Sequence, residues 1–421
     1  MQPRLPFTAL ALGAALLLPH SAAAVPAHAA DHDSVVGERP VRWTPHVLDG
    51  AVKDIVRVGD TVVVAGDFGR VSEADGGRTL DVRNVFAFEH GTGRILRGFT
   101  PDVDGPVLSV VPGPDGTVVI GGRFRSVDGA AARGLARLRL SDGARDARFR
   151  AALDSGYTNR LATDGSSLYV GGSFTGISGT ERTGLARLDP GTGAVDPGFT
   201  PRISEPRRGS LRVQELALSP DGGRLAINGT FTKVNGLARH QIAVIDTGSG
   251  APTRWSTSAY EADCDYTGLH TYMRQMDFAP DGSWFAVVTA GGPEVKPGLC
   301  KSVARFESDD TANLDPTWSN LTGGDSLYSV EVTSGAVYVG GHQRWMDNEK
   351  GRLDAGPGSV GREGIAAVDP RTGRALPWNP GRTRGHGAEA LYATSDGLYV
   401  GSDTERLAGE YHARLGMFPL A

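Results

Sequence analysis

The chain has 421 residues and a formal net charge of −5, from 43 lysine and arginine against 48 aspartate and glutamate residues. No basic stripe stands out, which argues against a nucleic-acid partner. Hydrophobic residues make up 39% of the chain, enough for a sizeable core, yet no apolar run approaches the roughly 18 residues of a membrane-spanning helix.

The first element is expected to be absent from the mature protein. Arg4 gives a minimal positive start, residues 7–18 are an apolar run too short to span a bilayer, and small residues follow. Cleavage sites of the Ala-x-Ala kind stand at Ala22-Ala23-Ala24 and Ala27-His28-Ala29. The reading is a Sec signal peptide over residues 1–30, a short flexible leader over 31–40 and one domain over 41–421. The mature protein is then secreted, extracellular and monomeric, with a net charge of −6 once Arg4 is lost.

The domain is a repeat. Tyr169-Val170-Gly171-Gly172-Ser173-Phe174 returns as Val64-Ala65-Gly66-Asp67-Phe68, Ile120-Gly121-Gly122-Arg123-Phe124 and Ile227-Asn228-Gly229-Thr230-Phe231. Weaker copies end at Gly291, His342 and Asp403, and successive copies lie 56, 50, 57, 61, 51 and 61 residues apart. Within one unit, residues 107–151, an apolar strand turns at Pro114-Asp115-Gly116 into a β-branched strand ending in Gly-Gly. A polar loop leads to a third strand at Gly134 to Leu138, and Ser141-Asp142-Gly143 turns into a weak fourth. Seven such units predict an all-β, seven-bladed β-propeller. The last unit has only three strands, and Val41 to Pro45 is expected to complete it as an outer strand, with Trp43 in the sheet that holds Leu415.

The Asp-Gly and Thr-Gly pairs occupy the first and second hairpins, where a tight turn needs positive φ; they read as turn chemistry rather than calcium ligands. The Gly-Gly pair lets backbones pass closely, and no helix follows it, so it is not a phosphate-binding loop.

The Gly-Gly-x-Phe phrase, followed by Gly-Leu-Ala-Arg-Leu-Asp and Thr-Gly, resembles the delta-60-type β-propeller repeat of secreted bacterial proteins. Gly340 to Asn348, with Trp378-Asn379-Pro380-Gly381-Arg382 and Val400-Gly401-Ser402-Asp403, is similar to an actinobacterial exported subgroup whose members are mostly uncharacterised. The resemblance implies the propeller fold for nearly all of the mature chain, and no particular activity.

Propeller topology puts the hairpin turns on one face and the longer loops on the other. The long loops cluster in the last three units, which also lose the packing Phe to Gly292, Gln343 and Thr404. Cys264 and Cys300 fall on that face and are expected to form a disulfide in an exported chain, with metal ligation the lesser alternative. His342, Arg344, Trp345, Arg384, His386 and Asp403 are expected to converge near the central channel as a ligand site. Arg with Trp suits an anionic sugar or carboxylate, and His with a carboxylate suits acid–base work. The competing view makes these groups fasteners between long loops. On the binding reading, replacing Arg344 and Arg384 by alanine abolishes binding and lowers the thermal midpoint only modestly.

No Gly-x-Ser-x-Gly, His-Glu-x-x-His or paired-carboxylate spacing is present, so no catalytic residue, metal or cofactor is assigned. The function expected is non-enzymatic binding of an extracellular glycan or protein on the loop face around blades five to seven. The alternative is a polysaccharide hydrolase or lyase using His342 or His386 as base and Arg344 or Arg384 to hold substrate.

Overall fold

The computed structural model describes residue 1 and residues 31–264, 268–291 and 298–421; the signal peptide expected over residues 1–30 lies, but for residue 1, outside the described residues. All regular structure among the described residues is β-strand, and no helix there is long and apolar enough to cross a membrane.

The chain folds as a run of antiparallel meanders. Ala51–Val58, Thr61–Asp67 and Val85–Glu89 form the first sheet, and Val107–Gly113, Thr117–Gly122 and Leu135–Arg139 the second. Further meanders open with Thr158–Thr163, Val213–Leu218, Met273–Phe278, Leu327–Val332 and Ala390–Thr394. The sheet opening with Met273–Phe278 carries a fourth strand, Trp318–Leu321. Elsewhere the expected fourth strand shrinks to a single bridge, such as Leu138↔Arg145 or Leu188↔Val195.

Two features dictate this close stacking. The first is glycine. A Cβ on Gly122 would stand 2.2 Å from the Pro106 carbonyl oxygen, and one on Gly121 would stand 2.6 Å from Thr158 Cγ2 of the next sheet. The second is a chain of polar fasteners. Asp54 accepts a hydrogen bond from the Val110 amide (2.8 Å), Ser109 Oγ from the Leu161 amide (3.1 Å) and Gln275 from the Val330 amide (2.8 Å). Glu331 accepts one from the Ala393 amide (2.8 Å). Each satisfies a buried amide that would otherwise lose water without replacement. The opening strand of the last sheet meets that of the first through Lys53 and Glu389 (2.5 Å).

Apolar side chains fill the gaps between sheets. Phe99 and Phe124 pack with Val63, Val107 and Ile120 between the first and second, while Phe88, Tyr399 and Leu415 share a cluster between the last and the first. Phe124, Phe174 and Phe231, the aromatics of the Gly-Gly-x-Phe phrase, are buried. Each such ring contributes about 1.5–3 kcal/mol of burial energy.

The amino-terminal segment departs from the expected register. Residues 41–45 contain a turn rather than a strand, because Val41 already donates its amide to Met417 (2.8 Å) and the chain then bends. The pairing lies earlier, where Val36 bridges Leu420 and the Gly37 amide donates to Pro419 (2.8 Å). Trp43 instead wedges its ring against Phe88, His90 and Tyr399, in the first and last sheets. Residues 31–40, expected as a leader, carry Asp31, which accepts from the Ser334 amide (2.7 Å), and Val36, whose amide donates to the Tyr338 hydroxyl (3.0 Å).

Small two-residue ribbons, not expected from the sequence, cap the second-to-third strand loops. Ser126–Val127 pairs with Ala130–Ala131, and Gly176–Ile177 with Thr180–Glu181. Their turns, Asp128-Gly129 and Ser178-Gly179, have positive φ at both residues, the mirror-image turn that suits a tight hairpin.

Candidate functional site

The opening strands share an irregularity that builds a site. In six of them the pairing register slips near the start: between Val52 and Asp54, Val107 and Ser109, Thr158 and Arg160, Val213 and Glu215, Met273 and Met276, and Leu327 and Ser329. A bulge re-aims the extra residue out of the sheet. Lys53, Leu108, Asn159, Gln214, Arg274 and Tyr328 all line one cavity of about 1030 Å³. The six come from six sheets, so the opening strands surround it.

The loop residues foreseen from the sequence divide at its rim. His342, Arg384 and His386 line the cavity; Arg344, Trp345 and Asp403 do not. All six are nonetheless joined in one network. Its hub is Asp325, which the sequence reading did not single out. The Asp325 side chain is only 2% exposed. It accepts from Arg344 Nε (2.8 Å) and Nη2 (3.2 Å), and from Arg384 Nη2 (2.6 Å). Arg344 also lies 4.3 Å from the centre of the Trp345 ring. Asp403 accepts from the amides of His386 (2.6 Å) and Gly387 (3.1 Å) and pairs with the buried Arg382 (3.4 Å). Burial pushes Arg382 down to about 10.

The two histidines differ in kind. His342 Nε2 accepts from the Ser326 amide (3.2 Å) while its Nδ1 donates to the His386 carbonyl (3.0 Å). Both ring nitrogens are engaged, and burial lowers its pKa, so this imidazole stays neutral. His386 stacks on Tyr328 (centroids 5.0 Å apart, 12°) with its side chain 63% exposed. A hydrogen bond to Glu389 (3.2 Å) raises its pKa.

Below the cavity the opening strands converge on a charged neck. Arg160 meets Asp54 (3.3 Å) and Glu215 (3.0 Å), and Asp277 and Glu331 face the same space. Burial pushes Glu215 and Asp277 up to about 7, and burial with the neighbouring Asp277 pushes Glu331 well up. These carboxyls bind protons more tightly folded than unfolded. Their contribution is complete below the unfolded carboxyl range and is lost as pH rises through about 7. His386, also raised, acts in the same direction, whereas His46, His90, His342 and His412, lowered by burial, oppose it. Denaturant unfolding of the pair Glu215→Gln and Asp277→Asn should therefore show a shallower loss of stability between about pH 5 and pH 8 than the parent. Parallel curves would mean that the neck carboxyls do not titrate in that range.

Cys264 and Cys300 form a disulfide with Cα atoms 5.7 Å apart, in a buried cluster with Trp255, Tyr260 and Tyr272. Parts of the loops on either side of it, residues 265–267 and 292–297, lie outside the described residues.

Two repeats of the chain match a known family. Residues 113–149 and 164–199 match the model described as "Domain of unknown function (DUF5122) beta-propeller". These two segments are similar to β-propeller repeats. No curated protein matches the chain. Among solved structures, the computationally designed Ika8 protein is similar at 12% identity, with 91% of this chain and 100% of that chain covered and a TM-score of 0.49. A propeller supports a binding or scaffold role, and the chemistry must come from the site itself.

Proposed function

We propose that the protein is a secreted, non-enzymatic binding propeller whose ligand enters the cavity on the long-loop face. On this reading the meanders are seven blades closed into a ring. The support is that apolar clusters and polar fasteners join each sheet to the next, and the last to the first through Lys53–Glu389 and Trp43. Export is supported by the Cys264–Cys300 disulfide, a bond that persists outside the reducing cytoplasm.

The observation that carries the binding reading is the bulge ring: six sheets each turn one side chain into a single cavity of about 1030 Å³. A fold gains nothing from such a cavity, and large concave sites lined by converging polar groups are where ligands bind. The hydrolase or lyase reading fares worse. His342 has both nitrogens engaged and Arg344 and Arg384 are paired with Asp325, which leaves only the exposed His386 of the two proposed bases.

The test is a glycan and protein array with three forms of the protein. Leu108→Trp narrows the cavity from one wall and should weaken binding of the parent's ligand. His386→Ala removes an exposed ring stacked on Tyr328 and should weaken binding with the unfolding midpoint essentially unchanged. Binding that survives Leu108→Trp at parental strength would move the site elsewhere.

A further inference from the structure

We propose that the ligand is an acidic oligosaccharide, its carboxylates held by Arg123, Arg212 and Arg274 with a sugar ring beside Tyr157. The inference rests on the reading of the cavity as a binding site and adds the chemical class. Of the five arginines that line the cavity, two already answer a carboxylate: Arg384 meets Asp325, and Arg160 meets Asp54 and Glu215. Arg123, Arg212 and Arg274 line the same space and make no ion pair among the described residues.

Each of the three is held in place without a directly paired carboxylate among the described residues. The Arg123 guanidinium lies 4.6 Å from the centre of the Tyr157 ring. Arg274 donates Nη1 to the carbonyls of Thr271 (3.1 Å) and Met273 (2.7 Å) and lies 5.8 Å from the centre of the Tyr328 ring. Arg212 has a buried Nε with no hydrogen-bond partner. Burial lowers the Arg274 pKa, with the like charge of Arg212 adding to it and the nearby Glu389 opposing it. Arg212 and Arg274 are partly buried like charges, and holding them together without a directly paired carboxylate costs stability. A site that retains them is arranged for an anion.

The neighbours of these cations choose the class of anion. Arg123 and Arg274 each sit against a tyrosine face that also lines the cavity. A guanidinium fork beside an aromatic plane matches a uronic acid, which offers a carboxylate at one edge and a flat ring face beside it. Gln214 and His270 on the same lining supply partners for hydroxyl groups. The volume, about 1030 Å³, stands at the upper end of small-ligand sites and leaves room for several sugar rings.

The test is calorimetric titration of the full chain with tetragalacturonate, neutral cellotetraose and tetraglutamate. Tetragalacturonate should bind at least about tenfold more tightly than either of the others and should weaken as salt rises. Arg123→Ala, at an exposed position, and Arg274→Gln should each lower its affinity by about tenfold or more, as expected for a lost charge-assisted hydrogen bond. Unchanged affinity in Arg123→Ala with Arg274→Gln equally silent or unfolded, equal binding of cellotetraose, or tighter binding of tetraglutamate would each overturn the proposal. If cellotetraose binds and Leu108→Trp weakens it, the cavity reading survives while the acidic class falls. If no probe binds and Leu108→Trp leaves the array pattern unaltered, both fall together.

Discussion

Alanine at both Arg344 and Arg384 is expected to destabilise the protein by about 3 kcal/mol, as judged by urea unfolding, rather than to remove binding alone. Asp325 is 2% exposed and takes three hydrogen bonds from these two guanidinium groups. Removing both leaves a buried carboxylate without the two cations that hydrogen-bond it. The arginines are themselves 31% and 42% exposed, so water can reach the vacated space, and the loss belongs at the lower end of what a broken buried pair costs. Adding Asp325→Asn to the double variant should recover part of the lost stability, because the carboxylate that drives the penalty is gone. If the double variant keeps parental stability and only binding disappears, Asp325 is not the hub described above and the two arginines point to ligand.

The second large effect concerns the crosslink. Replacing Cys264 and Cys300 by alanine should cost about 3–4 kcal/mol, the chain-entropy estimate for the sequence separation of 36 residues that the bridge closes. Both cysteines are buried beside Trp255, Tyr260 and Tyr272, so some lost packing adds to the entropy. The thermal midpoint of the variant should fall by several degrees, and mild reduction of the parent should reproduce the shift. A midpoint that does not move in either experiment would mean that the loops are held by other contacts.

Much of the repeat could be read directly. The Gly-Gly pairs, the Asp-Gly and Thr-Gly turns and the aromatic at the end of each unit are local requirements of φ, close approach and packing. Gly116, Gly222 and Gly282 do have positive φ, and Asp221 and Asp281 each accept from the amide two residues on. The second set of hairpins left an equally local trace that went unread: Asp128-Gly129, Ser178-Gly179, Asn235-Gly236 and Ala408-Gly409 sit at matching offsets after the strand-two glycines.

The site was less legible because it depends on register. Val52-Lys53-Asp54-Ile55, Val213-Gln214-Glu215-Leu216 and Met273-Arg274-Gln275-Met276 each break strict alternation with two adjacent polar residues. That break is the written sign of a bulge. A search for long loops looks past it and settles on Arg344 and Trp345, whose partners are internal. Asp325 had no sign at all, since a lone aspartate after Gly323-Gly324 reads as part of a turn.

The bulged residues have a freedom that the rest of each strand lacks. The residues bounding each slip hold the sheet register, while the bulged side chain lines the cavity. Leu108 and Gln214, whose side chains make no hydrogen bond or ion pair among the described residues, can therefore be randomised together as a library on the standing scaffold, with the fasteners Lys53, Asn159 and Arg274 left in place. Selection from such a library would yield new specificities without first having to repair the fold.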